Sequence, residues 1–125
     1  MSQILVVDDD PAFLHRITGL LTAAGHTVLS ARDGIQALKL IGESKDTLSL
    51  VIVDLALPKT SGFEVIGTVN RRAPHIRILA TSGVFKEPYL ESAVEIGAHS
   101  AIPKPAEAAE WLSAVQSALA IRAGG

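Results

Sequence analysis

Acidic, basic and hydroxyl side chains directly follow four short apolar runs of this sequence. In chain order they are Asp8, Asp9 and Asp10, then Asp54, then Thr81 and Ser82, and finally Lys104. If each apolar run is a strand of one parallel sheet, these side chains meet at one edge, because open α/β sheets place their chemistry at the carboxyl ends of the strands. Residues far apart in the chain would then share one crevice.

Such a set of side chains suits phosphoryl chemistry. Carboxylates that share a crevice repel one another, so they take up a proton or bind a cation. An oxygen-only site suits Mg²⁺, and a lysine and a hydroxyl beside it can neutralise phosphoryl oxygens. An aspartate can also be the nucleophile and form an aspartyl phosphate. The four histidines fall on predicted helices or connectors, so none is expected to act as a base in this crevice.

Each of these residues also has an ordinary structural explanation. Asp10 precedes Pro11, as an N-cap acid precedes a first-turn proline, and Asp54 could cap the segment that follows it. Hydroxyl residues are common in turns, and a lone lysine usually faces solvent. Four such features, each after a different predicted strand, argue against coincidence.

Apolar runs alternate with segments of helical periodicity along the whole chain. Strands are predicted over residues 4–7, 27–31, 50–53, 76–80 and 101–102, with the second near a sheet edge. Helices are predicted to begin near Pro11, Gly34, Gly62, Pro88 and Ala106, with residues 42–47 as a polar connector. The fourth helix carries the apolar residues Leu90, Ala93 and Val94. The alternation predicts an α/β fold, a parallel sheet with helices on both faces.

Composition narrows the class of protein. A chain of 125 residues with 48% hydrophobic residues suits one folded domain, and its net charge of −2 argues against direct nucleic-acid binding. It has no cysteine, no signal-peptide pattern and no apolar stretch of membrane-spanning length. We therefore expect no membrane insertion and a cytoplasmic location.

Five sequence motifs carry a family resemblance. They are VVDD at residues 6–9, VDLALPKTSG at 53–62, TSG at 81–83, IGA at 96–98 and PKP at 103–105. Taken together, in order and at this spacing, they resemble the chemotaxis-regulator-like receiver domain of bacterial two-component response regulators. The resemblance implies a flavodoxin-like (βα)5 three-layer sandwich with sheet order 2-1-3-4-5. It also implies a single receiver domain over residues 1–125, with no output domain in this chain.

The resemblance implies a role for each acidic position. Asp54 would be the phosphoacceptor and a ligand of Mg²⁺. Asp9 would bind the metal directly, Asp8 through water or a weaker contact, and the backbone carbonyl of Ala56 would be a further ligand. Asp10 matches no metal position of the family, so its N-cap interpretation stands.

The resemblance also assigns the basic and hydroxyl groups. Lys104 would contact the phosphoryl oxygens. Counting back from Lys104 and Gly97 without a gap places the family's switch hydroxyl at Ser82, with Thr81 as the weaker candidate. The family often has an aromatic residue in strand five that moves with this hydroxyl. Here that position is Ala101, so the usual relay cannot operate in its common form.

The implied function is signalling by phosphorylation. A sensor histidine kinase or a histidine phosphotransfer protein would donate the phosphoryl group, and the receiver would act on a downstream output protein by protein contact. Such a domain catalyses only its own phosphorylation and hydrolysis, so it is not an enzyme in the ordinary sense. It would be a stand-alone regulator or a fragment of a longer protein.

Two other functions compete with this one. A phosphatase of the haloacid dehalogenase type would use Asp8 as nucleophile with Asp10 two residues later. That type needs a further acidic metal motif after the lysine, and past Lys104 the chain offers only Glu107 and Glu110. The third possibility is a receiver-like binding module that is no longer phosphorylated, but every required side chain is present.

The last predicted helix is apolar around about half of its circumference. The apolar residues are Trp111, Leu112, Ala114, Val115, Ala118, Leu119 and Ile121. The pattern fits a well-buried helix, and it also fits a partner surface or weak dimer interface along helices four and five.

The residues flanking the phosphoryl site predict a long-lived phosphoryl group. Ala56 and Val84 occupy positions that tune dephosphorylation in the family, and neither apolar side chain can hold an attacking water by a hydrogen bond. We expect slow self-dephosphorylation, measured as loss of the phosphoryl group over time with no phosphatase present. Loss within seconds would refute this expectation.

Overall fold

The computed structural model of the chain describes residues 2–83 and 89–121. The strands of this part are β1 (Gln3–Val7), β2 (Thr27–Ala31), β3 (Leu48–Asp54), β4 (Arg77–Ser82) and β5 (Ser100–Pro103). The helices are α1 (Pro11–Ala23), α2 (Gly34–Ser44), α3 (Gly62–Arg72), α4 (Tyr89–Glu95) and α5 (Ala108–Ala120). All paired strands are parallel, in the order β2-β1-β3-β4-β5. The predicted flavodoxin-like α/β fold and its strand order are confirmed, with β2 at an edge.

The sheet separates two apolar cores, because successive side chains of a strand point to opposite faces. Val51 and Val53 of β3 belong to the core that packs against α2, α3 and α4, called here the α2–α4 core. Leu50 and Ile52 belong to the core that packs against α1 and α5, called here the α1/α5 core. These two cores make the molecule the predicted three-layer sandwich.

Helices α1 and α2 begin directly beyond strand ends, each with a side-chain cap. Asp10 Oδ1 accepts a hydrogen bond from the Ala12 amide at 3.0 Å, so its N-cap prediction is confirmed. Asp33 caps α2 through the Gln36 amide in the same way. A side-chain acceptor at this position satisfies an amide that the helix leaves without a partner. The caps therefore fix where the chain turns from sheet to helix.

Strand β4 is longer at its carboxyl end than the sequence pattern predicted. Thr81 and Ser82 lie within the strand and not after it. The reason is that pairing continues on both sides: the Leu55 amide donates to the Thr81 carbonyl, and the Lys104 amide donates to the Ser82 carbonyl. The two hydroxyl residues are therefore held by the sheet.

Two helices also differ from their predicted extents. Helix α2 continues through Ser44, so the predicted connector over residues 42–47 is only partly non-helical. Helix α5 begins at Ala108 and not near Ala106, because Glu107 and Glu110 form a reciprocal capping box there. None of the helices in residues 2–83 and 89–121 is long and apolar enough to cross a membrane.

The three apolar residues of the predicted fourth helix differ in their burial. Val94 is 45% exposed, whereas Leu90 and Ala93 are buried. The short helix α4 presents only one narrow face to the sheet. Leu90 and Ala93, three residues apart, lie on that face, and Val94 lies beside it. The predicted start of this helix at Pro88 lies outside the described residues.

His99, just before β5, hydrogen-bonds to both backbone groups of Ile78 on β4. Its Nδ1 accepts a hydrogen bond from the Ile78 amide at 3.0 Å, and its own amide donates to the Ile78 carbonyl. Burial, with a smaller effect from the charge of Arg77, lowers the pKa of His99 below its ordinary value of 6.5. Neutral His99 therefore belongs to the folded state, since a protonated Nδ1 cannot accept this bond.

We expect the free energy of unfolding to fall as the pH drops below 6.5. The unfolded chain protonates His99 first, so the stability that neutral His99 contributes is complete above 6.5 and is lost as the pH falls through the folded-state pKa. Urea unfolding at pH 7.5 and 5.5 measures this, where His99→Asn keeps an acceptor but cannot titrate. An unchanged pH dependence in His99→Asn would contradict the assignment.

Candidate functional site

One ammonium group joins two buried carboxylates at the carboxyl edge of the sheet. Lys104 Nζ lies 2.5 Å from Asp8 Oδ2 and 3.0 Å from Asp54 Oδ2. Asp8 is 1% exposed and Asp54 is 6% exposed, whereas Asp9 is exposed. One carboxylate oxygen from each of the three acids lies within 4.8 Å of the others. The structure therefore brings together the acids and the lysine that the sequence pattern placed in one crevice.

Strand alternation explains why these groups share one side of the sheet. Asp54 follows Leu50 and Ile52 on the face of the α1/α5 core, and Thr81 is its register partner on β4. Lys104 continues the same alternation two residues after Ile102, which also lies in this core. Asp54, Thr81 and Lys104 thus project from the same face as α1 and α5.

The loop after Asp54 holds its carboxylate from the other side. The Ala56 amide donates to Asp54 Oδ1 at 2.9 Å. Gly62 is needed because a Cβ there would lie 2.2 Å from the Asp54 carbonyl oxygen and 2.6 Å from Leu55 Cα. With Asp54 Oδ2 bonded to Lys104, both carboxylate oxygens are held by the protein.

The pKa values of the pair move in the same direction for different reasons. Burial raises the pKa of Asp54 above 3.8, and the Ala56 amide and Lys104 only partly offset it. For Lys104, burial opposes the charge, but its contacts with Asp8 and Asp54 outweigh burial and hold its pKa above 10.5. Lys104 therefore stays charged, while Asp54 is a carboxylate whose negative charge is only partly compensated.

The net negative charge of this cluster favours the binding of a cation. The three carboxylates and the Lys104 ammonium together carry two uncompensated negative charges when all are ionised. Exposed Asp9 leaves one side open to water, as suits Mg²⁺, which keeps several waters and binds few carboxylates. These residues therefore fit a divalent cation by charge, ligand type and access.

Asp10 does not join the cluster. Its side chain caps α1, and its backbone amide donates to Asp8 Oδ1 at 2.9 Å. The geometry thus gives Asp10 a supporting role, orienting Asp8 and starting α1. Asp10 is therefore not placed as the second catalytic acid that the dehalogenase-type interpretation requires.

The two candidate hydroxyl residues lie on opposite faces of β4. Thr81 alternates with Leu79 toward the α1/α5 core, and Ser82 alternates with Ala80 toward the α2–α4 core. Both are buried, and Thr81 Oγ1 has no hydrogen-bond partner within residues 2–83 and 89–121. Ser82 shares its face with Ala101, the register partner of Ala80.

The remaining predicted positions are less informative. Ala56 is partly buried and contributes its amide to Asp54, and the structure does not test its carbonyl as a metal ligand. Val84 lies outside the described residues. On α5, Trp111, Val115 and Ala118 are buried as expected for a packed helix, while Leu112 is 36% exposed.

The site contains one group that the sequence pattern assigned only to the core. The ring of Phe13 on α1 lies beside Lys104, with Nζ 4.3 Å from the ring centroid. Phe13 has the helical spacing of an ordinary core residue. The only available signal was its position one turn after the Asp10 cap, which brings it back to the carboxyl edge of the sheet.

The fold and the acidic edge define a flavodoxin-like protein with a candidate metal and phosphoryl site, and the comparisons give its family. The family model described as "Response regulator receiver domain" matches residues 4–116. The chain belongs to this family of two-component receiver domains.

Curated relatives are response regulators of greater length. The chain is 28% identical to the transcriptional regulatory protein CpxR homolog of Haemophilus influenzae, covering 95% of this chain and 51% of that protein. It is 30% identical to the regulatory protein VirG of Rhizobium rhizogenes, covering 95% and 48%. The chain thus spans about half the length of these relatives.

Solved structures show the same fold. The receiver domain protein from Clostridium thermocellum is similar with a TM-score of 0.89 and 28% identity, covering 95% of this chain and 94% of that one. A chain of the CheX–CheY–BeF3–Mg²⁺ complex from Borrelia burgdorferi is similar with a TM-score of 0.88 and 25% identity, covering 93% and 87%.

We expect Thr81→Val to stabilise the fold. Its buried hydroxyl has no partner in the described part of the chain, and replacing it by a methyl of similar shape removes the cost of desolvation. The free energy of unfolding, measured with urea, should rise by about 1 kcal/mol.

The control is Thr47→Val at an exposed position, whose hydroxyl bonds to the Ser44 carbonyl at 3.1 Å and to Gln3. This control should not gain stability. A fall in the free energy of unfolding of Thr81→Val would contradict this expectation. It would mean that the Thr81 hydroxyl has a hydrogen-bond partner in the folded protein.

Proposed function

We propose that the protein is a phosphoacceptor receiver that takes a phosphoryl group from a phosphohistidine donor onto Asp54. The donor would be a sensor histidine kinase or a histidine phosphotransfer protein. The observation that carries the proposal is the position of Lys104 Nζ, within hydrogen-bond distance of both Asp54 and Asp8. An ammonium at that point can move its hydrogen bonds from a carboxylate oxygen to a phosphoryl oxygen when the phosphoryl group is attached.

The transfer is an in-line displacement. A carboxylate oxygen of Asp54 forms a bond to phosphorus while the bond from phosphorus to the donor's imidazole nitrogen breaks. The bonding electron pair leaves with that nitrogen, and the product is an acyl phosphate. Lys104 compensates charge on the phosphoryl oxygens, and the Ala56 amide keeps the Asp54 carboxylate in a fixed orientation.

Asp8, Asp9 and Asp54, with the backbone carbonyl of Ala56, are the residues that would hold Mg²⁺. When bound, Mg²⁺ supplies positive charge to the phosphoryl oxygens. The buried carboxylates are supported by their surroundings, since Asp8 accepts from the Asp10 amide and Asp54 from the Ala56 amide. Backbone amides therefore orient the side chains of Asp8 and Asp54.

The response would pass from the site to a protein-binding surface. We assign the switch hydroxyl to Ser82, with Thr81 as the alternative, because Ser82 lies on the face that leads to α4. With Ala101 in place of an aromatic residue, the change would travel through the loops and α4. Exposed apolar residues support a contact surface for an output protein or a weak dimer along α4 and α5; they are Val94, Ile96 and Leu112.

The wider function follows from this chemistry. The protein would act by contact with other proteins, in the cytoplasm, without direct nucleic-acid binding or membrane insertion by this domain. Its only catalysis would be its own phosphorylation and hydrolysis, so we do not class it as an enzyme. We also propose that residues 1–125 form one receiver domain without an output domain of their own.

We expect acetyl phosphate with Mg²⁺ to phosphorylate the wild-type protein. Intact mass spectrometry should show an adduct with the mass of one phosphoryl group, and a chelator should prevent it because the carboxylates then stay uncompensated. Asp54→Asn should abolish the adduct.

The matched control is Asp10→Asn, which makes the same change at an exposed helix cap and should keep the adduct. An adduct that survives Asp54→Asn would contradict the proposal, as would a wild-type protein that acquires none.

A further inference from the structure

The Lys104 ammonium has a third neighbour besides the two carboxylates. Its Nζ lies 4.3 Å from the centroid of the Phe13 ring, within the range of a cation–π contact. The Lys104 side chain is only 17% exposed, so water screens this contact weakly. Arg16 approaches the same ring less closely, at 5.9 Å, and is itself exposed.

The Phe13 ring is itself supported by another aromatic residue. Its centroid lies 5.5 Å from that of Trp111 on α5, and the two planes are inclined at 58°. Both side chains are buried in the α1/α5 core. This tilted geometry is a favourable aromatic arrangement, and it fixes the ring on which the ammonium rests.

Phosphorylation changes the attraction of the Asp54 carboxylate for the ammonium but not the attraction of the Phe13 ring. A carboxylate attracts the ammonium by its charge, and Asp54 loses that charge on the oxygen that becomes esterified. The ring attracts the ammonium by its quadrupole, which phosphorylation leaves unchanged. It is also not a hydrogen-bond acceptor of comparable strength, so it does not compete with a phosphoryl oxygen for the ammonium hydrogens.

We propose that Phe13, supported by Trp111, is a positioning residue for Lys104 in phosphoryl transfer. The inference rests on the proposed function and deepens it. The aromatic pair holds the ammonium at the carboxyl edge of the sheet while its hydrogen bonds pass from carboxylate to phosphoryl oxygen. Phe13 does not touch the reacting atoms; it acts through Lys104.

The kinetic test compares three variants in phosphorylation by acetyl phosphate. Phe13→Leu keeps an apolar side chain but removes the ring, and should slow the initial rate about 3- to 10-fold. Phe13→Tyr keeps the ring face and should restore most of the rate. Phe63→Leu removes a ring from α3, on the other face of the sheet, and should leave the rate unchanged.

The spectroscopic test needs neither metal nor phosphodonor. In a ¹H–¹⁵N spectrum of lysine ammonium groups, the Lys104 signal is identified by its loss in Lys104→Arg. Hydrogens above an aromatic face shift upfield, so the Lys104 signal should move downfield in Phe13→Leu and remain in place in Phe13→Tyr. Trp111→Leu, which keeps Phe13 but removes its support, gives a smaller shift and a second route if Phe13→Leu folds poorly.

The outcomes separate this inference from the proposed function. If wild type is phosphorylated and Phe13→Leu reacts at the same rate with an unshifted Lys104 signal, the inference is overturned and the phosphoacceptor proposal stands. If Phe13→Leu and Phe63→Leu slow the reaction equally, the ring has only a structural role and the inference is again overturned. If wild type acquires no phosphoryl group, the proposed function fails first.

Discussion

Repulsion among three carboxylates at one edge of a sheet is the constraint on which this structure depends. Asp8 and Asp54 are buried beside each other, and a single ammonium lies between them. Removing one partner from such a cluster would leave a buried charge without compensation, which is far more costly than losing a surface ion pair. The Asp10 amide that bonds to Asp8 and the close approach at Gly62 support this arrangement, and the Phe13 ring lies against the ammonium.

The alternation of side chains along β4 relates the chemistry to the rest of the molecule. Thr81 faces the α1/α5 core with Asp54 and Lys104, while the next residue, Ser82, faces the α2–α4 core with Ala101. The side chains of adjacent residues of β4 therefore face the two different cores. Under the proposed function, a change at the acidic edge would pass to the α2–α4 core through the peptide unit that joins Thr81 and Ser82.

Short-range patterns were sufficient for the alternation of strands and helices and for the shared edge, whereas the strand order and the residue roles were implied by the family resemblance. Apolar runs with strand-end acids predicted five strands and the shared edge, and the Asp-Pro pair predicted the start of α1. Three features depend on tertiary contacts that no local pattern predicts. The pairing that extends β4 to Ser82 is a contact between distant strands, and the exposure of Val94 depends on how narrow a face α4 presents. The contact between Phe13 and Lys104 joins residues far apart in the chain, and no local pattern distinguishes that ring from core.

The central claim is that Asp54, and neither Asp8 nor Asp9, forms the bond to phosphorus. Borohydride reduces an acyl phosphate to an alcohol and leaves a free carboxylate unchanged. Peptide mass spectrometry of the phosphorylated and reduced protein should therefore find homoserine at position 54, and aspartate retained at positions 8, 9 and 10. Homoserine at position 8, 9 or 10 would contradict the account. So would a protein that carries the phosphoryl group but shows no homoserine at position 54.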